Sequence, residues 1–146
     1  MNGTELLKRT PLYAAQLEWG AKMVPFSGWE MPVQYSGILE EHAAVRERVG
    51  LFDISHMGQF LIAGPNAEGA LNELLTNDIS KITVGQAQYT LMCNPQGGII
   101  DDVIVYRLEP SVYLAIVNAG NIEKDLVWMN TQAPVSAVIE INFRLL

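Results

Sequence analysis

QAQYTLMCNPQGGIIDDVIVYRL, residues 86–108, holds two apolar runs joined by an Asn-Pro-Gln-Gly-Gly turn. The runs predict strands over 86–93 and 99–108, folded back on each other as a hairpin. Two adjacent carboxylates, Asp101 and Asp102, interrupt the second run. Alternation with period two sets Asp102 on the face of Ile100, Ile104 and Tyr106, and Asp101 on the face of Ile99, Val103 and Val105. Both faces are otherwise apolar, and an unpaired buried carboxylate is costly. Two readings are open: both carboxylates accept backbone N–H bonds from the Gly97–Gly98 turn at a strand end, or one of them serves a ligand.

Outward from the hairpin, the segments continue in a regular order. Upstream, QFLIAG (59–64) reads as a strand, and Pro65 opens a helix through NAEGALNELL (66–75), with Leu71, Leu74 and Leu75 on one side. Downstream, VYLAIVN (112–118) reads as a strand, and Asn121 is placed to cap a helix over IEKDLVWMNTQ (122–132). In that helix Ile122, Leu126 and Met129 share one side, while Glu123 and Asp125 in the first turn suit the helix dipole. SAVIEIN (136–142) is a last strand. The order β-α-β-β-β-α-β is an α+β class: a ferredoxin-like, split βαβ antiparallel sheet with one extra strand. Helices are expected over one sheet face. The other is too apolar to be purely solvated and is expected to meet water, a ligand or another domain.

Residues 1–58 read as a helical N-terminal arm ahead of a ferredoxin-like domain at 59–146. Thr10 and Pro11 suit the start of a helix that Gly20 stops, and a second helix runs from Ser36 or Gly37 to Gly50 with Ile38, Val45 and Val49 at helical spacing. Between them VPFSGWEMPVQYSG (24–37) reads as an irregular apolar arm.

Composition excludes several classes. The 146 residues are 49% hydrophobic and 17% charged, which describes a folded chain. A chain of this length buries roughly 68–70% of its unfolded surface. A net charge of −7 argues against nucleic-acid binding, which needs a surplus of Lys and Arg. The single Cys93 excludes an internal disulfide, and with only His42 and His56 beside it no structural zinc site is expected. MNGTELLKRTPLY has neither a signal-peptide core nor an Arg-rich transit pattern, and no apolar run reaches about 18 residues, so a soluble, cytoplasmic protein is expected. DISHMG (53–58) sets Ser55 beside His56, but adjacent residues do not form a triad and no G-x-S-x-G elbow is present. His42 is expected in solvent on a charged helix face. Cys93 alternates with Tyr89 and Leu91 and reads as a small core residue.

Taken together, TPLY (10–13), GAKMVPFSGWEMPVQY (20–35), EEHAAVRERVGLFDISHMG (40–58), TNDI (76–79), GQAQYTLMCNPQGGIIDDVIVYRL (85–108) and VNAGNIEKDLVWM (117–129) resemble, in unbroken order, the N-terminal part of the glycine cleavage system T-protein family. The resemblance implies a tetrahydrofolate-dependent aminomethyltransferase of glycine catabolism and one-carbon metabolism. Such an enzyme passes the aminomethyl group on the lipoyl arm of the H-protein to tetrahydrofolate and releases ammonia. It also implies a three-domain cloverleaf with folate at its centre, of which this chain is the N-terminal portion. The final EINFRLL departs from the family's continuation, and the family's later glutamate and arginine that hold the pteridine have no counterpart here. By the same resemblance Asp102 is the catalytic, folate-facing carboxylate, Met57, Tyr89 and Asn118 line the folate pocket, and no metal or membrane takes part. A non-catalytic folate-binding or assembly module of the same family is the alternative.

Overall fold

The computed structural model describes residues 6–132 and 142–143. The chain forms two compact units, Met1–His56 and Met57–Leu146.

The first unit contains α1 (Tyr13–Glu18), β1 (Lys22–Phe26), β2 (Trp29–Gln34) and α2 (Ile38–Glu47). The stretch expected as an irregular arm is thus a β-hairpin, with Val24 opposite Met31 and Phe26 opposite Trp29. Its two-residue loop, Ser27 at φ 48° and Gly28 at φ 81°, is left-handed at both positions. Such a loop matches the twist of the flanking strands, and Ser-Gly between apolar runs was its signal. The prolines that argued for irregularity, Pro25 and Pro32, lie in a two-stranded ribbon, where an edge position tolerates a residue without an N–H. Lys8 extends the ribbon, donating to the Gly28 carbonyl at 2.9 Å and accepting from Glu30 at 2.8 Å. Helix α1 starts later than Thr10 and Pro11 suggested: Leu12 is its N-cap, and no side chain caps it. Thr10 is buried and donates instead to Asp53, at 2.6 Å. Helix α2 ends at Glu47, short of Gly50. It buries no residue, and Ile38, Val45 and Val49 are exposed. His42 is exposed as expected.

The second unit runs β3 (Gly58–Ala63), α3 (Ala67–Leu74), a 3-10 turn (Ile79–Lys81), β4 (Ala87–Cys93), β5 (Ile99–Glu109), β6 (Val112–Val117), α4 (Ile122–Gln132) and β7 (Asn142–Phe143). This is the expected element order. The sheet order is β4-β5-β6-β3-β7, and all neighbours are antiparallel. Most of the last expected strand, 136–142, lies outside the described residues.

One sheet face is closed by α3 and α4. Phe60 and Ile62 of β3, Val103 and Val105 of β5, and Tyr113, Ala115 and Val117 of β6 pack with Leu71 of α3 and Met129 of α4 in a single cluster. Each large apolar side chain removed from water in this way contributes about 1.5–3 kcal/mol. Gly58 is required by this packing, because a Cβ there would stand 2.5 Å from Val117 Cγ2 and 2.7 Å from Ile122 Cγ1. The opposite face is open: Tyr89, Ile104, Tyr106 and Leu108 are all exposed. Cys93 follows Tyr89 on this half-open side and is only partly buried, so it is not the core residue expected. Its alternation was read correctly, but the side chains it accompanies face away from the helices.

The register slips at the start of β5. Met92 pairs with Asp101 and Cys93 with Ile99, so Ile100 has no partner across the ladder. The bulge turns Ile100 toward the core cluster and leaves Ile99 exposed, the reverse of the strict alternation expected from sequence. Asp101 and Asp102 follow the bulge and keep the predicted opposite faces. Neither takes the turn's N–H groups. Asn94 Oδ1 takes them, accepting from Gln96 N at 3.0 Å and Gly98 N at 2.8 Å.

Candidate functional site

The open sheet face of the second unit carries a polar group at one end. Leu91 of β4 pairs with Asp102, and Ile104 of β5 pairs with Ile116 of β6, so two residues back along β5 Asp102 comes level with Asn118. Tyr89 sits diagonally across from Asp102, within reach of a long side chain. Its hydroxyl donates to Asp102 Oδ2 at 3.1 Å, and Asn118 Nδ2 donates to Asp102 Oδ1 at 3.1 Å. A carboxylate has about four acceptor positions, so two donors orient it and leave lone pairs for a ligand. The bond to Asp102 is the largest cause raising the Tyr89 phenol above its ordinary range, with burial and the charges of Asp102 and Asp101 adding to it.

Met57 immediately precedes Gly58, whose partner Val117 immediately precedes Asn118. It therefore enters the sheet at the same end, and it is half-buried. The structure brings Asp102, Tyr89 and Asn118 into direct hydrogen-bonded contact and sets Met57 at the neighbouring strand end. Ile104 and Tyr106 continue the open face as an exposed apolar strip. The arrangement can accept a flat, partly aromatic ligand along the strip and offer a held carboxylate to an N–H group or a cation at its end.

Behind the sheet, Asp101 is 4% exposed and fully engaged. Asn118 donates to it from the backbone at 3.2 Å and from Nδ2 at 2.9 Å, and Asn121 Nδ2 donates at 2.7 Å. Burial alone would raise this carboxyl, but donation from Asp125, Asn118 and Asn121 outweighs it and holds Asp101 below its ordinary value. Asn121, expected at the cap of α4, also gives its side-chain N–H to Asp101.

Asp125 is 0% exposed. Neither of its oxygens receives a donor, and burial first, then the hydrogen bond and charge of Asp101, push it up to about 8. Raised to that value, Asp125 keeps its proton in neutral solution, with Asp101 as the acceptor it faces. Lys124 opposes the rise, but its ammonium is bonded to the Ile100 carbonyl at 2.6 Å. Sequence reasoning missed this residue by assigning it to the helix dipole. The signal was present: Asp125 is three residues after Ile122 and four before Met129, on the apolar side of α4.

In the first unit, DISH is held by a different aspartate. Asp53 accepts from Thr10 Oγ1 and Gln16 Nε2 at 2.6 Å each, and from Ser55 N at 3.0 Å and Ser55 Oγ at 2.7 Å. Burial would raise Asp53, but these bonds outweigh it and hold the carboxyl low. Ser55 is a turn residue, and His56 stands edge-on to Phe26 and Trp29, with centroids 6.0 and 6.4 Å away. Burial lowers the His56 imidazole against the opposing pull of Asp53. Among the described residues no group of three or more His, Cys, Asp or Glu could hold a metal ion, and no helix is long and apolar enough to cross a membrane.

Residues 12–144 match the GCVT N-terminal domain. The chain belongs to this family. It is 56% identical over 127 residues to an aminomethyltransferase of Symbiobacterium thermophilum, covering 87% of this chain and 34% of that protein. An aminomethyltransferase of Thermotoga maritima is 53% identical over 127 residues, covering 87% of the chain and 35% of the relative. The fold matches the crystal structure of glycine cleavage system aminomethyltransferase T from Bartonella henselae with a TM-score of 0.91 and 35% identity, over 96% of this chain and 39% of that one. The chain spans about a third of the length of the relatives it matches. The antiparallel α+β architecture read from the sequence is therefore that of the GCVT N-terminal domain.

Proposed function

We propose that this GCVT N-terminal domain supplies the Asp102 end of a tetrahydrofolate site, in an aminomethyltransferase that receives its one-carbon unit from a lipoylated H-protein. The observation that carries the reading is the carboxylate of Asp102, oriented by Tyr89 and Asn118 at the end of an exposed apolar strip. Tetrahydrofolate is the substrate that accepts the unit. Its p-aminobenzoyl and pteridine rings suit the strip of Tyr89, Ile104 and Tyr106, with Met57 as adaptable apolar contact at the strand end.

When ammonia leaves, the one-carbon unit gains cationic iminium character, and closing the methylene bridge removes a proton from N10. A carboxylate already held by two donors stabilises that charge without reorganising and, directly or through a water, accepts the proton. Asp102 is the residue in this chain suited to both tasks. A soluble, cytoplasmic setting fits the reading.

The test is ammonia release from aminomethylated H-protein and tetrahydrofolate, measured with this domain in a protein of the relatives' full length. Turnover that vanishes in Asp102→Asn supports the reading. Unchanged turnover in that variant overturns it. The second reading is a non-catalytic folate-binding or assembly module of the same family. Tetrahydrofolate binding without ammonia release would select it.

A further inference from the structure

The proposed site explains the open face of β5 but not the pair of carboxylates behind it. Asp101 and Asp125 are both buried on the core side, and a hydrophobic core gains nothing from two acids unless they hold something. What Asp101 holds is Asn118. Asp101 grips that residue twice, accepting from its backbone N–H through Oδ2 at 3.2 Å and from its side-chain amide through Oδ1 at 2.9 Å. The same Nδ2 reaches over the sheet edge to Asp102, 3.1 Å from the carbonyl oxygen and 3.1 Å from Oδ1. All three acceptors around that nitrogen are oxygens. Turned end for end, the amide would bring its own oxygen against them.

We propose that Asp125 is a positioning residue: buried behind the sheet with no donor of its own, it holds Asp101, which fixes the Asn118 amide with its N–H groups toward Asp102. The inference deepens the assignment of Asp102 and rests on it only for its functional consequence. The pair and the amide it orients exist in the chain whether or not folate binds.

The groups facing Asp125 are few. From β5 there is Asp101, from its own helix Lys124, and between β6 and α4 lie the neutral amides of Asn118 and Asn121, both committed to Asp101. Among the described residues no donor reaches either Asp125 oxygen, so a proton is the group left to stand between the two carboxyls. Losing it sets two carboxylates against each other, with the Lys124 ammonium engaged by the Ile100 carbonyl rather than by either of them. The pair then parts, and Asp101 no longer presents the same oxygens to Asn118.

The experiment is NMR on the complete chain, following the Asp125 carboxyl carbon and the side-chain amide of Asn118 from pH 5 to pH 10. The expected result is a single Asp125 titration centred near 8, with a displacement of both Asn118 amide protons at the same midpoint. Asp125→Asn keeps an N–H donor to Asp101 and has nothing to titrate. In it the Asn118 signals should stay at their low-pH positions throughout. Asp125→Leu removes the donor and should displace them at every pH. Should that variant fail to fold, Asp125→Asn alone decides, because a merely structural role predicts no loss of the pH response. An Asp125 titration in the ordinary carboxylate range, or Asn118 signals that ignore it, would overturn the proposal. If the coupling holds but Asp125→Leu in a full-length protein transfers the one-carbon unit at the wild-type rate, the assignment of Asp102 is what fails.

Discussion

Asp101 and Asp102 are one residue apart, and the two faces of β5 make them different chemical objects. On the closed face Asp101 is 4% exposed, and three N–H groups and the proton of Asp125 converge on it. On the open face Asp102 is exposed and takes one donor on each oxygen, from Tyr89 and from Asn118. The first is saturated by its own fold and has nothing left to offer a ligand. The second is oriented but incomplete. Asn118 touches both, so it transmits the order of the closed face to the open one.

The sharpest way to break this contrast is to remove the closed-face carboxylate. Asp101→Leu strands the amides of Asn118 and Asn121 and leaves the Asp125 proton without an acceptor. Each buried donor left unsatisfied costs about 1–3 kcal/mol, and this change strands several, so the loss should reach several kcal/mol. Urea unfolding should report a loss of that size, and a loss below about 1 kcal/mol would show that Asp101 is replaceable by water or by its neighbours.

Asp102→Asn should show the complementary pattern. In a protein with a complete folate site, transfer is expected to fall at least roughly 10²-fold, the lower end of what general acid–base catalysis contributes, while stability changes by less than about 0.5 kcal/mol. If Asp101→Asn abolished transfer in a folded protein and Asp102→Asn did not, the roles of the two faces would be exchanged.

An effect visible only as a pH dependence follows from the proton on Asp125. Its folded value is raised from 3.8 to about 8, so the folded chain keeps a proton that the unfolded chain releases. That contribution to stability is fully present below about pH 3.8 and is lost as the pH rises through about 8. Asp101, held below 3.8, acts in the opposite sense: its contribution is present above that pH and disappears as acid reaches its lowered value. Unfolding measured at a series of pH values should therefore show stability falling from mildly acidic toward alkaline solution. In Asp125→Asn this decline should flatten, and an identical slope in both proteins would mean that Asp125 does not carry the proton.

Tyr89→Phe should have the least effect. The ring stays on the apolar strip and one exposed hydrogen bond is lost, so stability should move by less than about 0.5 kcal/mol. Tetrahydrofolate affinity should fall a few-fold, in line with about 1 kcal/mol for a single hydrogen bond. A loss as large as that of Asp102→Asn would promote the phenol from an orienting contact to a principal one.

Much of this was legible in the residues. Alternation along 99–108 separated Asp101 from Asp102, and the helical spacing of Ile122, Leu126 and Met129 identified the side of α4 that meets the core. Local patterning of this kind is written wherever one face is buried and the other is not. The hairpin at 22–34 was obscured because prolines are tolerated at strand edges, and Ser-Gly is a weaker turn signal than Asn-Gly. The bulge at Ile100 was hidden for another reason. It depends on the Asn94 side chain taking the turn's N–H groups, and a one-residue slip leaves no mark in an apolar run where both faces are Ile and Val.

The sequence by itself determined the order of strands and helices, the opposite faces of the two aspartates and the family to which the chain belongs. These depend on neighbours in the chain, whose spacing decides what a strand or helix can bury. Only the tertiary structure decided that Asp125 of α4 meets Asp101 of β5, that Asn118 joins the two sides of the sheet, and that Tyr89 reaches Asp102. Those contacts join residues 13 to 24 positions apart. Their charge states follow from burial and from the donors that packing brings together, and neither is a property of a residue type.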